Sequence, residues 1–181
     1  MITPSDLAAQ IEELYRTRGS ERYGEELTLF EHSLLTAQTA QDSGASDELV
    51  LACLLHDVGH LLVEPDDAYG SQNHDEVGAE WLGERFGAAV SEPVRLHVAA
   101  KRYLCAIDPG YYGRLSAASQ YSLGKQGGRM SDAEADEFTT NAFWEDAARL
   151  RHWEDAFGKD PDAAVPDFDR YRPLIEALAT G

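Results

Sequence analysis

Residues 49–55 read Leu-Val-Leu-Ala-Cys-Leu-Leu, and His56-Asp57 follows without a break. A helix that is apolar nearly all round has no face to give to water, so it must run through the middle of a protein. At seven residues it is far too short for the ~18 needed to cross a bilayer. The chain therefore has to wrap other elements around this segment. An imidazole and a carboxylate set at the end of a buried run also need a reason to be there, because unpaired buried polar groups are costly. A divalent metal supplies one, since it accepts both groups and neutralises the carboxylate.

The rest of the sequence tells what does the wrapping. Apolar residues recur at spacings of three and four almost everywhere and alternation is rare, which predicts an all-α chain. Leu7, Ile11, Leu14 and Tyr15 line one face of a first helix. A polar loop spans about 19–28, and a second helix about 30–42 is closed by Gly44. Ser46 caps the central helix. Residues 64–73 are loop, a further helix covers about 74–86, and Ser91 caps the next, with Pro93 in its first turn. Then come a helix over about 113–123, a glycine-rich loop at 124–130, and a Ser131/Glu134 capping box. Helical periodicity resumes to about Phe157 with a break near Asn141, and a last helix carries Tyr171, Leu174, Ile175 and Leu178. No repeat or linker divides the 181 residues, so we expect one compact helical domain over 1–181, its site-bearing core at about 20–160.

Charge and cysteines narrow the function. Fifteen Lys+Arg against 33 Asp+Glu leave a formal charge of −18. That surface argues against a nucleic-acid or anionic-membrane partner, which would need a basic face. Cys53 and Cys105 are too few and too far apart for a disulfide framework or thiolate zinc cluster. The start has no basic region followed by an apolar run, and no membrane span is expected, so a cytoplasmic setting is.

Six histidines stand at positions 32, 56, 60, 74, 97 and 152. His56 and His60 lie four apart and share a helix face, as do His97 and Lys101. Arg151 lies four before Asp155. The spacings place a cationic group one turn from each of these candidate ligands, which suits an anion clamp. Near Trp153, both Glu154 and Asp155 are candidate carboxylates, and both Arg151 and His152 candidate anion contacts. A histidine-rich, carboxylate-containing set suits iron or manganese better than magnesium.

His32, the segment Leu54-Leu55-His56-Asp57-Val58-Gly59-His60 and a distant acid form the pattern of the HD metal-dependent superfamily. Over about residues 20–173 the chain more narrowly resembles the HD-domain mixed-valence diiron oxygenases that cleave the C–P bond of 1-hydroxyphosphonates. The resemblance is carried by Tyr23-Gly24-Glu25-Glu26 ahead of Glu31-His32, by His74 with Val77-Gly78-Ala79, by His97-Val98-Ala99-Ala100-Lys101-Arg102-Tyr103-Leu104, by Ser116-Ala117-Ala118-Ser119 and by Gln126-Gly127-Gly128.

What the resemblance implies is a compact HD helical bundle with two iron ions, Fe(II) and Fe(III), and O2 as co-substrate. Its ligands map to His32, His56, Asp57, His74, His97 and, because an Asp stands four before a Lys, Asp155. Asp57 is then the bridge. His60, Lys101, Ser119, Gln126 and Arg151 map to groups that hold the phosphonate. Tyr23 and Glu26 map to a loop over the site: Tyr23 occupies an iron position until substrate displaces it, and Glu26 pairs with a substrate ammonium. The expected substrate is a small zwitterion, 1-hydroxy-2-(amino or trimethylammonio)ethylphosphonate, giving phosphate plus glycine or glycine betaine. Tyr23, Tyr103 and Tyr111 are candidates to cage a quaternary ammonium. The rival expectation is an HD phosphohydrolase that acts on a nucleotide or phosphate ester with a metal-bound hydroxide.

Overall fold

The computed structural model describes residues 2–180. Ten α-helices and two short 3-10 turns make up its regular structure, and no strand occurs among the described residues. The apolar run becomes α3 (Asp47–Leu55), with Ser46 accepting a hydrogen bond from the Leu49 N–H at its start. All seven residues of Leu49–Leu55 are buried. Against them pack α2 (Leu29–Asp42), α6 (Ala88–Ile107), α9 (Trp144–Ala156) and α10 (Arg172–Leu178). Each fully buried leucine of such a helix contributes about 1.5–3 kcal/mol.

A helix that ends inside the core must still satisfy its last carbonyls. The Tyr15 hydroxyl of α1 (Pro4–Arg18) donates to the Leu54 carbonyl at 3.0 Å, and His56 Nδ1 donates to the Cys53 carbonyl at 2.8 Å. The chain bends at His56-Asp57 and resumes as a short α4 (Val58–Leu62), which sequence periodicity did not separate from α3. The His-Asp pair therefore sits at a buried corner, fixed by the backbone on both sides.

Next to α4 runs α5 (His74–Phe86), and glycine sets how close the two come. A Cβ on Gly59 would lie 1.9 Å from the His74 carbonyl oxygen, and Gly78 on α5 faces the Gly59 backbone. Only glycine at 59 permits this approach, which stacks the His60 and His74 rings at 3.9 Å.

Helix α6 begins at Ala88, after Gly87 at φ +80°, rather than at a Ser91 cap; Ser91 and Pro93 lie inside it. The glycine, free to adopt positive φ, ends α5 and starts α6 in one residue, a junction that the Ser-x-Pro signal masks. The expected helix at 113–123 resolves into a 3-10 turn (Tyr112–Arg114) and α7 (Ala117–Lys125), capped by Ser116. The Ser131/Glu134 capping box opens α8 (Asp132–Phe138), and the break near Asn141 separates it from α9. No helix among the described residues is long and apolar enough to cross a membrane.

Candidate metal centre and anion cavity

Four imidazoles from four elements converge on Asp57: His32 from α2, His56 from the corner, His74 from the start of α5 and His97 from the middle of α6. All are buried. They form two pairs. His32 Nε2 and His56 Nε2 lie 3.2 Å apart, and His74 Nε2 and His97 Nε2 3.1 Å apart. One Asp57 oxygen, Oδ2, faces the first pair at 3.9 and 3.4 Å. The other, Oδ1, faces the second pair at 3.5 and 3.7 Å.

The tautomers follow from the second nitrogen of each ring. Nδ1 of His32, His56, His74 and His97 lies 2.7, 2.8, 2.8 and 2.6 Å from the carbonyls of Gly158, Cys53, Ser71 and Val94. A carbonyl can only accept, so each Nδ1 carries its proton, and in the neutral rings each Nε2 presents a lone pair. Two lone pairs about 3 Å apart repel unless a cation lies between them. Backbone-anchored imidazoles of this kind are how proteins orient metal-ligating histidine.

His60 is built the other way. Its Nδ1 accepts the Ser71 backbone N–H at 3.0 Å, so in the neutral ring its proton lies on Nε2. His60 lies near enough to Asp57 and His74 to be grouped with them as a possible metal-binding set, but in the neutral ring its Nε2 carries a proton to donate. Burial first, then His74 beside it, pushes its pKa down to about 3.

The sixth group is Glu154. Its carboxylate oxygens lie 3.9 Å from His32 Nε2 and 3.8 Å from His56 Nε2. Glu154 is buried, and its Oε2 has no hydrogen-bond partner. An orphaned buried carboxylate oxygen beside bare imidazole nitrogens fits a metal ion. Burial opposes charge on His56, yet Asp57 and Glu154 hold its pKa at about 9, so this corner favours positive charge.

Asp155, the expected ligand, faces elsewhere. One residue on along α9, it is turned to Arg151, whose Nε and second terminal nitrogen donate to it at 2.8 and 2.5 Å. The Tyr111 hydroxyl donates to it at 2.7 Å, and Lys159 Nζ lies at 3.5 Å. Burial works against its charge, but Arg151 and Lys159 hold its carboxyl below the usual range. The four-residue spacing to Arg151 is, in this structure, that of an ion pair. Arg151 also reaches back to Glu154 Oε1 at 2.8 Å, so one guanidinium fixes both acids.

Beside the imidazoles lies a cavity of about 90 Å³. Its wall includes Lys101, Ser119, Gln126 and Arg151 along with His60 and Tyr23, six of the groups expected around substrate. Lys101 is buried, and its Nζ donates to Ser122 Oγ at 2.7 Å. Burial first, then Arg151 nearby, lowers its pKa to about 7. Gln126 Oε1 is buried without a partner. Tyr23 lies 4.9 Å from His60, ring to ring, and holds φ +44°, a left-handed conformation unusual for a non-glycine residue.

Glu26 is exposed and does not line this cavity; Glu25 does. Successive side chains of a tight turn point in different directions, and spacing alone does not tell which faces in. Tyr103 packs on Phe138 and Trp144, and Tyr111 is spent on Asp155, so the aromatic that joins Tyr23 on the cavity wall is Tyr69. His152 is exposed. Sequence reasoning also missed Lys159 as a wall residue. Its Nζ donates to Ser119 Oγ at 2.7 Å and to Glu25 Oε1 at 3.0 Å. The only signal was the acid-to-lysine spacing that pointed to Asp155.

A helical core with a buried histidine–aspartate corner of this geometry is an HD domain, and the HD-domain family model matches residues 29–127. Within that family, the chain is 41% identical over 180 residues to hydroxymethylphosphonate dioxygenase of Gimesia maris, covering 97% of this chain and 89% of that protein. It is 39% identical over 170 residues to the glycine-betaine-forming [1-hydroxy-2-(trimethylamino)ethyl]phosphonate dioxygenase of Leisingera caerulea, covering 91% and 86%. The chain belongs to the HD-domain phosphonate dioxygenases.

Proposed function

We propose that this protein is a diiron dioxygenase that cleaves the C–P bond of a 1-hydroxyphosphonate, with 1-hydroxy-2-(amino or trimethylammonio)ethylphosphonate as substrate. The single observation that carries the reading is Asp57, one oxygen turned to each histidine pair. His32, His56, Glu154 and Asp57 would hold one iron, and His74, His97 and Asp57 the other. A ferrous and a ferric ion there would supply O2 activation and the redox equivalents of the reaction.

The overall change balances without an external reductant: the hydroxyphosphonate and O2 give a carboxylate and phosphate. The chain's own residues bind and hold the anion. His60 offers its Nε2–H, Lys101 an ammonium and Arg151 a guanidinium; charge-assisted hydrogen bonds of this kind are the strong ones. Ser119 and Gln126 add neutral contacts. Tyr23 covers the cavity and excludes water. The positive centre is local: the −18 of the whole chain is screened beyond ~8 Å at physiological salt.

The test is phosphate release from 1-hydroxy-2-aminoethylphosphonate and its trimethyl form by iron-loaded protein, with and without O2. Release that needs O2 and yields glycine or glycine betaine is expected. Equal release under nitrogen would return the protein to the hydrolases.

A further inference from the structure

Three of the four imidazole anchors are local. His56, His74 and His97 donate to the carbonyls of Cys53, Ser71 and Val94, each three residues back in the chain. The fourth is not: His32 Nδ1 donates to the Gly158 carbonyl, 126 residues away, at 2.7 Å. A ring bonded to its own segment keeps its anchor wherever that segment moves. The His32 ring keeps its anchor only while the end of α9 stays against α2.

Gly158 is also where α9 closes. Its N–H donates to the Trp153 carbonyl at 3.0 Å, beside the N–H of Phe157, and Glu154 is the residue that follows Trp153. So one residue grips the last turn of α9, which carries Glu154, with its N–H, and the His32 ring with its carbonyl. The fit leaves no room for a side chain. A Cβ at position 158 would run into the Thr36 hydroxyl oxygen, and would lie 3.0 Å from the Glu154 carbonyl oxygen and 3.2 Å from His32 Cε1. Thr36 is buried, and its hydroxyl donates to the His32 carbonyl at 2.8 Å, so it has nowhere to turn without giving up that bond. Both groups that Gly158 grips face each other, His32 Nε2 lying 3.9 Å from Glu154 Oε1. Gly158 also lies outside the stretch 29–127 that matches the HD-domain model.

The geometry points to Gly158 as a positioning residue for one of the two irons. It fixes His32 and Glu154 relative to each other, so the iron held by His32, His56 and Glu154 depends on it, and the iron held by His74 and His97 does not. This rests on the reading of the imidazoles as a two-iron centre. Backbone and side-chain partners that orient a metal ligand are worth about 10–100-fold in metal affinity.

The experiment titrates ferrous iron anaerobically into metal-free protein, counts bound iron by metal analysis and locates it by anomalous diffraction. Wild type is expected to hold two irons. Gly158→Ala should keep the iron at His74 and His97 with wild-type affinity and hold the other about 10–100-fold more weakly. Loss of neither iron, or of both together, would overturn the inference alone. A wild type that holds fewer than two irons would overturn it together with the two-iron reading. A second measurement needs no variant: nitrogen-15 spectra of the wild-type histidines, with zinc as a diamagnetic probe. The His32 Nδ1 proton should be as protected from exchange with water as those of His56, His74 and His97. A His32 proton that exchanges freely while the other three stay protected would overturn the inference even if Gly158→Ala does not fold.

Discussion

The two sides of the cavity are held by different means. On the imidazole side each ring is pinned by a backbone carbonyl: Gly158, Cys53, Ser71 and Val94 fix four Nδ1 protons. On the opposite side, cations are held by other side chains: Arg151 by Asp155 and Glu154, Lys159 by Glu25 and Ser119, Lys101 by Ser122. Backbone anchoring makes a rigid donor set that a metal needs, since ligand geometry must be preorganised. Side-chain pairs can change partner, which is what a wall that receives a charged substrate needs. The difference teaches where to look for chemistry and where for selectivity.

That contrast can be broken most sharply on α9, where the two sides meet in adjacent residues. Glu154→Ala should lose bound iron, measured by metal analysis, and at least about 100-fold of activity, because losing even a group that only orients a metal ligand costs about 10–100-fold. Asp155→Ala should keep its iron and fail instead in substrate affinity, because Arg151 loses its partner. The reverse assignment would mean that the imidazole side includes Asp155.

Gly59→Ala comes next, because its Cβ meets backbone rather than a flexible side chain. We expect destabilisation of about 3 kcal/mol or more, read by denaturant melts. A wild-type melt would show that α4 and α5 are less rigidly packed than the imidazole side requires.

Lys101→Met probes the exchangeable side and should act in two directions. A buried ammonium whose folded pKa is about 7, below its ordinary 10.5, disfavours the fold while charged in both states. That penalty is fully present below pH 7 and fades as pH rises toward 10.5. The variant should therefore melt several degrees higher at pH 6.5, with the gain shrinking by pH 9, while affinity for inorganic phosphate falls about tenfold or more. In wild type, phosphate affinity should itself weaken above about pH 7 as Lys101 loses its proton. A lower melting point with unchanged phosphate affinity would make Lys101 structural.

The smallest effect is expected from Tyr111→Phe, which removes one hydrogen bond to Asp155. It should cost about 1 kcal/mol of stability and leave iron content unchanged. Loss of iron would show that the two sides are coupled through Asp155.

The His56-Asp57 corner was legible in sequence, because an apolar run that stops at an imidazole and a carboxylate is a local signal; His32, His74 and His97 lie on other helices and were pointed to by the family resemblance. The all-α fold was legible for the same reason. The α5/α6 junction was not, since Gly87 carries a turn that Ser91 and Pro93 masked. Glu25 against Glu26, in a tight turn, was not legible either, nor was Glu154 against Asp155 on α9. Adjacent residues on a helix point about 100° apart, and which one faces a site depends on how the helix is rotated against its neighbours. Lys159 was hidden because its partners, Glu25 and Ser119, are distant in the chain.

The most direct test of the paired-histidine centre is anomalous diffraction at the iron edge from crystals of the iron-loaded protein. Two peaks flanking Asp57 are expected, one against His32, His56 and Glu154 and the other against His74 and His97. A single peak, or a peak held by His60 or Asp155, would contradict it.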